Sequence, residues 1–152
     1  MTNIIKYSMG VSSLLYGLMA QGEPKETLTT EAKIVAITIL AEARGEGKMG
    51  MYAVGAVIAQ RALERDQTVT EVCKAPKQFS CWNGKAVNDF KHLLDLPEAR
   101  YAILVAKNIH NLDHKIVGNA NHYHSNRMKK FPYWTKGKRP TVTIKGHIFY
   151  KL

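Results

Sequence analysis

Glu42 ends a strongly apolar run, Ile34 to Ala41, and stands directly before Ala43-Arg-Gly-Glu46. On a 3.6-residue period it falls under Ile39, Thr38 and Val35, three, four and seven positions back. A carboxylate in the last turn of a buried helix faces the negative end of the macrodipole, and partial burial also disfavours its charge. Both effects raise its pKa. A carboxylic acid held this way can donate a proton near neutral pH, which is the chemistry of a general acid. Alternatively, Glu42 is simply the first solvent-facing residue after a core helix. Glu46 is the competing carboxylate. Gly45 lies between the two as the residue expected to stop the helix in a left-handed conformation, so the acids need not face one another. Glu46 is expected to have a structural or secondary role, such as pairing with Arg44.

Histidines raise a metal reading, because His122 and His124 are two apart and His110 and His114 share a helical spacing. No nearby Asp, Glu or Cys completes a ligand set around them, so no metal and no cofactor are expected. Cys73 and Cys81 are the only cysteines. They lack Cys-x-x-Cys spacing; a bridge is open to them outside a reducing cytoplasm, and two partly buried thiols are the default.

The elements that must carry these groups follow from hydrophobic period and turn residues. The run through Ile34–Ala41 is apolar almost all round, which predicts a buried helix, capped by Thr29 or Thr30 with Glu31 in its first turn. A second helix is expected from about Gly50 to Glu64, with Met51, Val54, Gly55, Ile58 and Ala62 as its core stripe. Residues 66–88 read as turns. A short helix is expected over Asp89–Leu96, and another opens at Pro97 with Tyr101, Leu104, Val105 and Ile109 on one face. The tail, Thr141–Ile144 then His147–Tyr150, predicts a hairpin turning at Lys145-Gly146. His147 is expected to serve a structural hydrogen bond there.

The totals permit one domain: 152 residues, 45% of them hydrophobic. Residues 1–27 read as a signal-like or anchoring segment with a linker, since Lys6 is the only charge before Glu23 and Val11–Ala20 is a short apolar stretch ending in small residues. A helix docked on the domain is the alternative. The formal net charge is +10, which favours an anionic partner: nucleic acid, an acidic membrane surface or a cell-envelope polymer.

Four patterns stand in order along the chain: Ala41-Glu-Ala-Arg-Gly-Glu46, Gln78-Phe-Ser-Cys-Trp82, His122-Tyr-His124 and Gly146-His-Ile-Phe-Tyr150. Together they resemble the cell-wall hydrolase family of the spore-cortex-lytic enzymes SleB and CwlJ, over about residues 29–150. The resemblance implies a mainly α, lysozyme-like domain with a small β element (α+β), here residues 28–152. It implies cleavage of peptidoglycan between N-acetylmuramic acid and N-acetylglucosamine by a lytic transglycosylase with Glu42 as catalytic acid. That chemistry suits the residues: one carboxyl suffices if the sugar's own 6-hydroxyl replaces water, and no obvious second Asp accompanies the motifs. A hydrolytic muramidase using Glu46, or a basic binding module that has lost catalysis, remain the alternatives. Gln78, Ser80, Tyr123 and His124 are then candidates to line a sugar groove, with Glu46 beside them. Trp82, Tyr133 and Trp134 either stack on sugars or cover the core, and Phe79 is core. The basic, aromatic stretch Arg127–Arg139 is a solvated face, a nucleic-acid surface or, for a peptidoglycan enzyme, a weak attractor to the anionic wall. No specific nucleic-acid partner is expected. The chain is expected to be a monomer working in the envelope or outside the cell, with membrane contact through its N-terminal segment; a phage endolysin would suit equally.

Overall fold

The computed structural model describes residues 27–152. The expectations for the N-terminal segment fall on residues 1–26 and lie outside the described part. Helix α1 (Thr30–Ala43) starts as expected: the Thr29 hydroxyl accepts the Ala32 N–H at 3.1 Å and Glu31 occupies the first turn. Every residue from Ile34 to Leu40 is buried. A helix apolar on all sides can be stable only where other elements cover all sides, and that makes α1 the axis of the domain.

Helix α2 (Gly47–Arg65) begins three residues before the expected start and runs to Asp66, which adopts the left-handed conformation at φ 51°. Its small residues let it approach the rest of the core closely. A Cβ on Gly55 would meet Val105 Cγ1 at 2.7 Å and Leu112 Cδ1 at 3.2 Å. Helix α3 (Val69–Lys74) stands where only turns were expected. Its signal was present as a capping box, in which Thr68 Oγ1 accepts the Glu71 N–H and Glu71 Oε2 accepts the Thr68 N–H. The segment Val87–Asp95 is a 3-10 helix rather than an α-helix. Helix α4 (Ala99–Lys107) follows Pro97, and its buried face differs from the expected one. Ala102, Val105, Ala106 and Ile109 are buried at i, i+3, i+4 and i+7, whereas Leu104, off that stripe, is 55% exposed. α1 packs against α2, α3, α4 and the Val87–Asp95 segment.

The sheet has three antiparallel strands, β1 (His122–Ser125), β2 (Val142–Ile144) and β3 (His147–Tyr150), in the order β1-β3-β2. The β2–β3 hairpin turns at Lys145-Gly146 as expected, with Lys145 left-handed at φ 51°. Strand β1 was not foreseen. It is short and polar, and it exists because β3 supplies its ladder from far along the chain (His122 opposite Tyr150, Ser125 opposite His147). Alternation along the strands divides the sheet. Tyr123 and Val142 lie opposite Phe149 and face α2, where Phe149 packs with Ala53, Ala56, Val57, Val117 and Ala120. His122, His124 and Tyr150 point outward and are covered by Phe131 and Trp134 of the loop between β1 and β2. Among the described residues no helix is long and apolar enough to cross a membrane.

Gly55→Ala tests the closeness of the α2 contact. Alanine gains about 1 kcal/mol of helix propensity, but a Cβ crowding a buried, β-branched Val105 costs about 1–3 kcal/mol. Net destabilisation is expected, measured as a lowered urea midpoint with an unchanged slope.

Candidate active site

The end of α1 does not take the form expected of it. Gly45 is not left-handed; Ala43 breaks the helix at φ −140°, Arg44–Glu46 make one 3-10 turn, and Gly47 holds the positive φ, 69°. The motif's two carboxylates consequently leave in different directions, and both reach the sheet. Glu42 meets the side chain of β1: the Tyr123 hydroxyl donates to its Oε2 at 2.9 Å. Glu46 meets the β2–β3 turn: its Oε2 accepts the Gly146 N–H at 2.7 Å. Both Glu46 oxygens would lie 2.8 Å from a Cβ at position 146, so a larger residue there would have to push the carboxylate aside. The expected Glu46–Arg44 pair gives way to this clamp, and Arg44 Nη1 donates to the Leu40 carbonyl instead.

Glu42 is half-buried. Burial raises its pKa above the ordinary carboxylate value, against the opposing effects of the Tyr123 hydrogen bond and the charge of Arg61. Tyr123 is pushed well above its usual value, first by burial and then by the Glu42 carboxylate, so it stays a hydroxyl donor. Cys81 is the third neighbour: burial and the Glu42 charge push its thiol up to about 11. Cys73, deeper in the core, is pushed by burial up to about 12. Both are free thiols, and neither ionises near neutral pH.

Arg61 was missed by the sequence reading. It is 6% exposed on α2, its Nε donates to the Asn121 carbonyl at 2.6 Å, and its guanidinium lies 5.5 Å from the centre of the Phe79 ring. Its Nη1 is buried with no hydrogen-bond partner among the described residues. A lone cation inside the apolar stretch Met51–Ala62 was the available signal. It supplies positive charge to both Glu42 and Tyr123.

The other expected site residues divide. Gln78 is half-buried, with Oε1 3.5 Å from Arg65 Nη1, and Ser80 is exposed at the head of a 3-10 turn (Ser80–Trp82) that also places Cys81 beside Glu42. Trp82 is only 8% exposed; its indole N–H donates to Thr38 Oγ1 at 2.9 Å and its ring meets Phe90 edge-on. Of the two roles open to it, sugar stacking and covering the core, the structure places it in the core. His124 is 5% exposed and sits between Phe131 and Tyr150 on the outer face of the sheet. Trp134 packs on His122, His124 and Tyr150 of that same face. A strand sends alternate side chains to opposite sides, so His124 and Trp134 cannot share the face from which Tyr123 reaches Glu42. His147 packs edge-on to Tyr123 at 4.9 Å, and its Nδ1 is buried with no hydrogen-bond partner among the described residues. His110 meets Glu31 and His114 meets Gln60; among the described residues no three His, Cys, Asp or Glu stand together as a metal site.

The sequence pattern of the Cell Wall Hydrolase family matches residues 45–150. The chain belongs to that family. The match opens at Gly45, three residues after Glu42. No curated protein matches the chain. Among solved structures, the catalytic domain of the germination-specific lytic transglycosylase SleB from Bacillus anthracis is similar at TM-score 0.63 and 27% identity, over 85% of this chain and 100% of that one. The catalytic domain of the Bacillus cereus SleB protein is similar at TM-score 0.61 and 28% identity, over 86% and 97%. The fold of this cell wall hydrolase is therefore the expected lysozyme-like one, and the resemblance drawn from four short motifs holds.

Glu46→Ala tests the clamp on the hairpin. Removing a charged acceptor from a buried N–H costs about 2 kcal/mol. The variant should melt several degrees lower, with hydrogen exchange at Gly146 accelerated beyond that of the helical core.

Proposed function

We propose that the protein is a peptidoglycan lytic transglycosylase that cleaves the bond between N-acetylmuramic acid and N-acetylglucosamine, with Glu42 as its one acid and base. The observation that carries this is a single half-buried carboxyl of raised pKa, oriented by Tyr123, while the other carboxylate of the motif is taken by a backbone N–H. Likeness to a lytic transglycosylase catalytic domain supports it.

The chemistry needs one group in two states. With Oε2 accepting the Tyr123 hydroxyl, the acid proton is carried on Oε1. Glu42 gives that proton to the glycosidic oxygen as the C1–O bond breaks and its electron pair passes to the leaving sugar. The carboxylate left behind is stabilised by Tyr123 and by the Arg61 charge. It then takes the proton of the muramic 6-hydroxyl as O6 attacks C1, which closes a 1,6-anhydro ring and restores the acid. Gln78 and Ser80, on the segment whose Cys81 neighbours Glu42, are the proposed partners for N-acetyl and hydroxyl groups. A substrate in the wall implies action outside the cytoplasm, with residues 28–152 as the catalytic domain.

Glu42→Gln should lower lysis of purified sacculi by about 10²-fold or more. Mass spectrometry of the wild-type products should show 1,6-anhydromuramic ends. Reducing ends would mean that water is the nucleophile. The pH profile has a definite sign. Cleavage needs protonated Glu42, so kcat/KM falls as pH rises through its pKa. The Tyr123 hydroxyl stabilises the carboxylate and lowers that pKa. Tyr123→Phe should therefore move the alkaline limb to higher pH while lowering the maximal rate; a limb that stays put would remove Tyr123 from this role.

A further inference from the structure

The positive charge of this chain is confined to one part of it. Of 22 basic residues nine follow Asp113, and none of the 12 acids does, so residues 114–152 carry +9 of the net +10. All nine are exposed. Among the described residues only Lys151 is paired with a carboxylate, Glu64 Oε1 at 3.0 Å. Unpaired cations at this density repel one another, and that cost is relieved when a polyanion lies over them.

Four of these cations, Lys129, Lys130, Lys136 and Lys138, lie on the β1–β2 loop, which covers the outward face of the sheet, the face opposite the one that carries Tyr123. Phe131 and Trp134 anchor the β1–β2 loop onto the outward histidines and Tyr150. Lys129 and Lys130 precede this anchor and Lys136 and Lys138 follow it. Asn126 holds the loop's start to the β2–β3 turn by donating twice, through its N–H to the Gly146 carbonyl at 2.8 Å and through Nδ2 to the Lys145 carbonyl at 3.3 Å. Tyr133, 91% exposed, stands between Lys130 and Lys136 in the loop. The basic side chains are mostly lysines, point charges that follow a repeating anion without reading its geometry, and an exposed ring among them can lie on a sugar or polyol unit.

We propose that this outer face of the sheet docks a phosphodiester-bearing polyol polymer of the cell wall, holding the enzyme on the wall while Glu42 works on glycan from the other face. The proposal rests on the reading above that the enzyme acts within the wall. Charge complementarity selects a repeating anion, and a polymer attached to the substrate is the one that raises the local concentration of glycan at the acid.

The test uses full-length Glu42→Gln protein, purified sacculi carrying a polyol-phosphate polymer, and the same sacculi stripped of phosphodiester chains with hydrofluoric acid. Retention is read by co-sedimentation across a salt series. Stripping should weaken retention by about tenfold or more, and retention on intact sacculi should fall steeply with salt. Adding Lys129→Gln, Lys130→Gln, Lys136→Gln and Lys138→Gln should reproduce the loss and reduce the salt slope by roughly one per charge removed. The same four changes in the active enzyme should leave its melting temperature and its cleavage of short soluble glycan oligomers unchanged. Equal retention on intact and stripped sacculi, or an undiminished slope in the lysine variant, overturns the proposal. So does tighter binding to duplex DNA or to anionic-lipid vesicles at equal phosphate. Failure of the active enzyme on glycan oligomers would count against the transglycosylase reading alone, since retention is measured without catalysis.

Discussion

A carboxyl group drawn partly out of water at the end of a helix, with one phenol hydroxyl pointed at it, is the constraint that the surrounding architecture answers. Burial of a carboxylate is unfavourable, and Glu42 is tolerated because Tyr123 donates to it and Arg61 lends charge. Each of these partners needs its own support. Tyr123 is held by β1, which is a strand only because β3 pairs with it, and β3 is held to the helices by Phe149 against α2. Arg61 is held by the carbonyl of Asn121, the residue before β1, and by the ring of Phe79. The site is thus a joint between the helical core and the sheet, and its two sides meet across a large separation in the chain.

Glu46 has a place in the same joint. By receiving the Gly146 N–H it ties the hairpin turn to the turn that follows α1. One short motif therefore contributes both a group of perturbed acidity and the clamp that keeps its partner strand in position. A hexapeptide with two carboxylates four residues apart invites the idea of an acid and base pair, yet the 3-10 turn between them sends the second to the backbone. That leaves Glu42 as the carboxyl of the motif not engaged by the backbone, which suits the proposed reaction, whose nucleophile is part of the substrate.

The sheet separates two kinds of surface. Its inner face packs on α2 and carries Tyr123 to Glu42; its outer face carries a layer of aromatic rings from the β1–β2 loop, whose lysines are exposed. Four residues of strand serve both faces because successive side chains alternate. Close charges on the inner face would perturb Glu42 strongly in that drier setting, whereas the outer cations act through water and are screened within about 10 Å at ordinary salt. Segregation thus permits a strongly basic protein to keep a carboxylic acid of raised pKa.

Local physics made much of this legible in the chain. The unbroken apolar run marked α1 as buried, Thr29 marked its start, and Lys145-Gly146 marked the hairpin. Four motifs in order sufficed for the family. The burial of Trp82 was not legible, since it depends on Thr38 lying across the core to receive its N–H. Nor was the fate of His124 and Trp134, because whether a residue beside Tyr123 shares its face follows from strand pairing, and β1 has no strand-like composition of its own. Arg61 entered the site only when β1 and Phe79 closed around it. The sequence by itself determined the helix, the carboxylate on which it ends and the basic tail, since periodicity and composition act over a few residues. Tertiary structure alone decided which groups face that carboxylate and which are turned away, because those choices are made by contacts between residues 44 to 81 positions apart.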